Sequence, residues 1–350
     1  MRSPHPRERV RSRRIVPAEL TELTEIITGL GTLSHDEPAS AVAAQPAELV
    51  NVGDRQWERL GKAVADASNE QTVLMAWENG RALLRARDGL RGRHPVRVEW
   101  KGPQQPPGYD LLPADLRIDH VYLVSCKYMS KILMNASPGH VFDRGLAVRA
   151  PTERTDWYDE IAPLAYAEFY EEVRRHVDGG LPLRHADLDR AQRLHISAAC
   201  KRRWPDELAG PAAVFADKIG RASVERWRRN LSTTRDQEHM VWRLLRLNSA
   251  PYFVLGTSPA SALRLRIGTP WDWRQSFRLR SFDVAARSGT QPCVDWTAHV
   301  ERIDTGGVTP VRGHVEIRWS HGRFCGVPEA KIYLDSPHET VPGYFALDDR

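Results

Sequence analysis

Residues 114–128 read ADLRIDHVYLVSCKY. Two apolar runs meet at Asp119-His120, and the second ends in Ser-Cys-Lys. Their length and composition are those of strands. Side chains alternate faces along a strand, so Val121, Leu123, Ser125 and Lys127 share one face and Tyr122, Val124, Cys126 and Tyr128 the other. Both faces are mostly apolar, which predicts a central, buried strand. Lys127 then lies where that strand leaves the core and needs an anionic partner, either a carboxylate or a phosphate. Lysine is scarce here: of 50 basic residues only Lys62, Lys101, Lys127, Lys131, Lys201, Lys218 and Lys331 are not arginine. It differs from arginine in being a compact charge with a shiftable pKa.

Asp119 shares the face of Lys127 but is eight residues away, roughly 26 Å at ~3.3 Å per residue along a straight strand. Asp115 can come closer if the chain turns near Asp119-His120 and residues 114–118 run back beside 122–127. The turn length decides the face. A two-residue turn pairs Asp115 with Val124, on the wrong side; a three-residue loop over 119–121 pairs it with Ser125, on the side of Lys127. Asp-His lacks the glycine that two-residue turns prefer, which favours the longer loop.

Pro113 and Asp115, then Ser125-Cys126-Lys127, resemble the motif of the PD-(D/E)xK nuclease superfamily, and VSCKY is similar to the Mrr-type restriction nuclease version. The resemblance covers roughly residues 55–150. It implies an α/β nuclease-like core with a mixed sheet, in which Asp115 binds Mg²⁺ (or Mn²⁺) and Lys127 assists water attack on a phosphodiester. Ser125 stands where the family has an acid, and a neutral hydroxyl replaces a carboxylate poorly as a Mg²⁺ ligand. Glu99, on a neighbouring strand, and Glu78, on the preceding helix, are the candidates to supply the missing charge. The implied catalytic set is Asp115, Ser125, Lys127 and Glu99; the implied metal set is Asp115, Glu99 and Glu78. Glu99-Trp100-Lys101 and Glu329-Ala330-Lys331 are literal Glu-x-Lys matches as well. With 45 acidic residues in 350 such matches arise by chance. The Lys127 register ranks first because its strand reads as the most buried and an Asp precedes it in a hairpin. Ser125 equally fits a non-catalytic nucleic-acid-binding or assembly protein that keeps the fold.

Around this core the chain divides into four regions. Residues 1–51 hold a basic arm, a short helix opening at Pro17 and a linker-like stretch, SHDEPASAVAAQPAEL. Residues 52–150 form the restriction-endonuclease-like domain, with helices expected over 57–67 and 72–87, a strand over 95–100, and a helix opening at SKILMNA (130–136). Residues 151–250 read as helical. Residues 251–350 switch to period two and read as a β-rich domain. In that last region Arg264, Arg266, Arg278, Arg280 and Arg318 alternate and would make a basic stripe if they shared a face. Trp271 and Trp273 fall on one side of what reads as an extended segment.

At 41% hydrophobic and 27% charged, with a net charge of +5, the chain has a globular, mildly basic composition compatible with a polyanionic partner. There is no membrane-length apolar run and no signal-peptide core, which leads to a cytoplasmic expectation. Four scattered cysteines without a CxxC pair argue against a disulfide framework or structural zinc, and Cys126 reads as a buried, inert thiol. Candidate nucleic-acid contacts are Tyr128, Ser130, Lys131 and Asn135 just past the lysine, together with Arg318 and the loop residues His321 and Arg323. The expected partner is DNA, in phage defence or repair, and action as a homodimer or beside an ATPase or helicase is compatible with this.

Overall fold

The computed structural model describes residues 17–102, 114–128, 132–146, 155–177, 179–200, 203–257 and 262–347. The chain divides into two compact units: residues 1–129, 252–266 and 346–350 in the first, 130–251 and 267–345 in the second.

The first unit opens with helix α1 (Pro17–Leu30), where Leu23, Ile26, Ile27 and Leu30 recur at helical spacing and are all buried. Helices α2 (Pro38–Ala44), α3 (Asp54–Ala65) and α4 (Glu70–Arg85) follow. Proline at the first position of α2 costs no hydrogen bond there. The stretch expected to be a linker therefore contains a helix, and Ala41 and Val42 join the same core as α1. The unit accordingly reaches back well before residue 52. Helices α1 and α4 touch along their backbones: a side chain on Gly80 would bring its Cβ to 2.2 Å from the Thr28 carbonyl.

Strands β1 (Leu49–Val50), β2 (Val98–Trp100), β3 (Leu116–Ile118) and β4 (Tyr122–Tyr128) build the sheet on which α1 and α4 pack. The chain returns after strand β5 (Ile132–Ala136) of the second unit as β6 (Tyr252–Thr257) and β7 (Ala262–Ile267). The sheet order is β1-β2-β3-β4-β6-β7, with β12 (Tyr344–Ala346) at the edge beside β7. Pairing is parallel for β1–β2 and β4–β6 and antiparallel for β2–β3 and β3–β4, a mixed sheet. β4 is central, as its two apolar faces predict. β6 and β7 belong to this sheet and not to the β-rich C-terminal region to which periodicity assigned them.

The second unit holds α5 (Pro138–Phe142), α6 (Trp157–Ile161), α7 (Pro163–His176), α8 (Arg190–Ala199), α9 (Asp206–Asn230), α10 (Thr234–Leu244) and α11 (Pro270–Ser276). Its sheet is wholly antiparallel, in the order β5-β11-β10-β9-β8, with β8 (Phe277–Ala286), β9 (Cys293–Arg302), β10 (Val308–Arg318) and β11 (Glu329–Leu334). Val294, Trp296, Ala298 and Val300 alternate inward along β9, and α9 packs on β8 and β9. Two local expectations change here. Residues 132–136 pair with β11 as a strand instead of opening a helix. Trp271 and Trp273 sit on helix α11, the first exposed and the second fully buried, so they do not share a side. No helix among the described residues is long and apolar enough to cross a membrane.

Gly256 stands level with Lys127 in the parallel β4–β6 pair, and an added Cβ would lie 1.9 Å from the Lys127 carbonyl oxygen. Gly256→Ala is expected to cost roughly 1–3 kcal/mol through forced backbone displacement. A lower urea midpoint at unchanged slope would register it; an unchanged midpoint would contradict it.

Candidate active site

The β3–β4 hairpin turns through a three-residue loop. Leu116, Arg117 and Ile118 pair with Val124, Leu123 and Tyr122, which leaves Asp119, His120 and Val121 to close it. Asp119 and His120 take left-handed backbone angles, φ 48° and 61°, which Asp and His tolerate better than most residues. The Asp119 carboxylate accepts from the Val96 and Arg97 N–H groups, each at 2.9 Å. Asp119 thus fastens the turn to the start of β2 and is not a partner of Lys127.

Extending this register by one rung sets Asp115 beside Ser125. The Asp115 N–H donates to the Val124 carbonyl at 2.8 Å, although Val124 is already the partner of Leu116. Leu116 and Asp115, the residue just before β3, thus share one residue on β4, the arrangement of a bulge, which re-aims a side chain out of strict alternation. The Asp115 carboxylate lies along the edge of β4, where it accepts from the Cys126 N–H at 2.6 Å and the Ser125 hydroxyl at 3.3 Å. From the 2.6 Å contact and standard backbone lengths, it lies at most roughly 8 Å from the Lys127 Cα.

A second carboxylate comes from α1. Glu25 is buried, and the Trp100 indole N–H of β2 donates to it at 2.7 Å. Burial, and after it the negative charge of Asp115, raise its pKa to about 7, against the lowering pull of the Trp100 hydrogen bond and the Lys127 charge. Burial and the charges of Asp115 and Glu25 also push the Cys126 thiol up, so it stays protonated and inert. Glu25, Asp115 and Lys127 therefore form one electrostatic cluster, with Ser125 hydrogen-bonded inside it.

Behind the cluster runs a buried polar network. Tyr128 shares a 2.6 Å hydrogen bond with Thr28 of α1 and accepts from Asn79 of α4 at 3.2 Å. Asn79 also donates to the Gly256 carbonyl at 2.9 Å, and its own carbonyl accepts from Arg264 at 2.9 Å. Tyr128 is thus a strut between helices and sheet, with burial holding its phenol above the usual range. It is not a surface group reaching for phosphate.

The other acids expected here are engaged elsewhere. Glu99 is buried on the opposite parity from Trp100, where it accepts from Arg97 and Arg117 and lies 3.6 Å from His120. The Arg117 hydrogen bond holds its carboxyl below the usual range. Glu78 is exposed on α4 and faces Arg85 at 3.6 Å; its neighbour Asn79 is the residue that points inward. Pro113, Ser130 and Lys131 lie outside the described residues. Asn135 is exposed on β5 of the second unit. Arg318, His321 and Arg323 are also in that unit: Arg318 pairs with Glu316 at 3.2 Å, His321 is exposed, and Arg323 stacks on Trp204. The five alternating arginines fall in two different sheets, Arg264 and Arg266 on β7 and the others on β8 and β10, so they form no single stripe.

Sequence reasoning missed Glu25. One signal was present: α1 carries three glutamates and no basic residue, and Glu25 sits among Thr21, Thr24 and Thr28 on an otherwise apolar helix. An acid without a helical counter-ion, flanked by residues that also become buried, has its partner elsewhere in the fold. No family model, no curated protein and no solved structure matches this chain.

The pKa of Glu25 has a thermodynamic consequence. Its folded value of about 7 is raised above the ordinary 4.5. The resulting stability is fully present below the ordinary value and is lost as pH rises through the folded one. Stability is expected to fall across that window by up to roughly 3 kcal/mol, and Glu25→Gln is expected to flatten the fall. Urea denaturation at a series of pH values reads both. In a carboxyl NMR titration, Asp115→Asn should lower the Glu25 midpoint and Trp100→Phe should raise it.

Proposed function

We propose that this protein is a divalent-cation-dependent nuclease with a restriction-endonuclease-like core, hydrolysing phosphodiester bonds in DNA, in phage defence or repair. The observation that carries this reading is the convergence of Glu25 from α1 and Asp115, the residue just before β3, beside Lys127 at the end of a central strand. The mixed α/β sheet with helices packed on it is compatible with such a core.

The donor set fits a hard divalent cation. Mg²⁺ needs only one or two carboxylates from protein and takes its other ligands from water and substrate phosphate. Glu25 and Asp115 supply two, although no group of three His, Cys, Asp or Glu suited to a metal occurs among the described residues. Burial and the neighbouring Asp115 charge, the causes of the raised Glu25 pKa, are both offset by a cation bound to these carboxylates. Bound there, the cation would supply Lewis-acid charge and a more acidic water. The chain's own contributions are distinct. Cys126 N–H and Ser125 fix the Asp115 carboxylate, Trp100 orients Glu25, and Lys127 brings positive charge to the phosphate or the attacking oxygen.

A second reading has its own observation. Ser125 occupies the position where the motif has an acid, and its hydroxyl is turned to Asp115. A nucleic-acid-binding protein without catalysis would tolerate this. Incubation with plasmid and single-stranded DNA in Mg²⁺ or Mn²⁺ separates the two. Cutting that is lost in Lys127→Ala, Asp115→Asn and Glu25→Gln supports the nuclease; binding without cutting supports the alternative and overturns the first. Cation affinity supplies a further test. Because the cation must displace the Glu25 proton, Mn²⁺ binding measured by calorimetry should weaken by roughly tenfold per pH unit below about 7. Glu25→Gln should remove that dependence along with most of the affinity.

A further inference from the structure

The second unit contains a cavity of about 320 Å³ lined wholly by its own residues. It lies among the end of α8, the segment before β9, and the end of β10 with the loop that follows. Its size is near the lower end of the ~300–1,000 Å³ range of small-molecule sites.

The walls combine two chemistries. Trp204 and Trp319 supply partly exposed aromatic surface, backed by the buried rings of Tyr158 and Phe215, and Arg318 and Arg323 supply positive charge. No carboxylate lines the cavity among the described residues. Both guanidinium groups are held in place. The Arg323 Cζ lies over the Trp204 ring, 3.4 Å from its centre, and Arg318 is steadied by Glu316 at 3.2 Å from outside the lining. Burial pulls the Arg323 guanidinium below its usual range, the signature of a cation in a poorly solvated wall. The indole N–H of Trp319 is buried and has no acceptor in the structure. The other tryptophans in that condition, Trp227, Trp242, Trp273 and Trp296, do not line this cavity.

We propose that this cavity binds a single nucleotide, with its base against the aromatic walls and its phosphate on Arg318 and Arg323. Other small ligands match fewer of these features. Inorganic phosphate leaves the aromatic surface uncovered. A neutral aromatic makes no use of the two guanidinium groups in the wall. An aromatic amino acid carries an ammonium toward the arginines. A nucleotide offers a flat ring, ring acceptors for the Trp319 N–H, and a dianion that guanidinium groups grip well. The nucleotide is either free or one unit of a strand. The proposal does not rest on the nuclease reading.

The test uses the full chain, titrated with the four nucleoside 5′-monophosphates by calorimetry and by tryptophan fluorescence, which Trp204 and Trp319 should report. At least one mononucleotide is expected to bind, with inorganic phosphate and the matching nucleoside weaker by roughly tenfold or more. Loss of one charge-assisted contact should have the same size of effect in Arg318→Gln and Arg323→Gln. Arg278→Gln, an exposed arginine on β8, should bind as the unaltered protein does. Should Arg323→Gln fail to fold, Arg318→Gln decides. Displacement of the mononucleotide by a single-stranded oligonucleotide would assign the strand source, and its absence the free nucleotide. No binding of any mononucleotide at millimolar concentration would overturn the proposal. Equal binding by the folded arginine variants would do the same.

Discussion

Glu25 and Asp115 come from elements ninety residues apart and share one poorly solvated space. Two like charges there repel far more strongly than in water, so neither carboxylate can be what holds the other in place. The restraint comes from outside the pair. Ile26, Ile27 and Leu30 bury the face of α1 that flanks Glu25, and the glycine contact between α1 and α4 leaves the helix no room to roll. Trp100 claims Glu25, and Cys126 N–H claims Asp115. The Thr28–Tyr128–Asn79–Arg264 network then ties helices and sheet behind them. Packing energy is spent on keeping an unfavourable electrostatic arrangement, a pattern found where charge serves chemistry or binding more than stability.

The hairpin was largely legible from sequence because two discrete rules act on it. Strand alternation allows only two faces, and loop length chooses between them; without a glycine at Asp119-His120 the odd loop was the more natural choice. The bulge at Asp115 was not legible, since nothing in ADLRID distinguishes an aspartate in register from one shifted out of it. Glu25 was hidden for a different reason. Helical periodicity shows that α1 has an apolar face, but not which strand that face meets, so a polar residue on its border cannot be assigned a partner from one sequence. The segment 132–136 was misjudged because a short apolar run reads equally as strand or helix. β6 and β7 were recognised as strands, but strand composition does not say which of two sheets a strand will join.

The second unit shows how little an arginine-rich composition says about function. Arg280 is taken up by Glu301, Arg226 by Asp143 and Glu160, and Arg287 by Asp295. Alternation along a strand produced the appearance of a basic stripe where the fold produces separate ion pairs. Arg318 and Arg323 differ from these because they line a concave, aromatic, acid-free space. The distinguishing property is the shape and chemistry of the surroundings, not the number of charges.

The parallel pairing of β4 with β6 also bears on the order in which the molecule can be made. β4 ends at Tyr128 and its neighbour begins at Tyr252, so the sheet that carries Lys127 is interrupted by the whole of residues 130–251. On the ribosome the helices, the hairpin and both acids emerge early. The strand that covers the far edge of β4, and the Gly256 carbonyl that receives Asn79, emerge more than a hundred residues later. Until then β4 is an apolar edge strand, the kind of surface that invites mispairing. Completion of the Lys127 strand is in this way timed by synthesis of the other unit, and a chain arrested between residues 129 and 251 would carry the two carboxylates without the finished sheet that positions them.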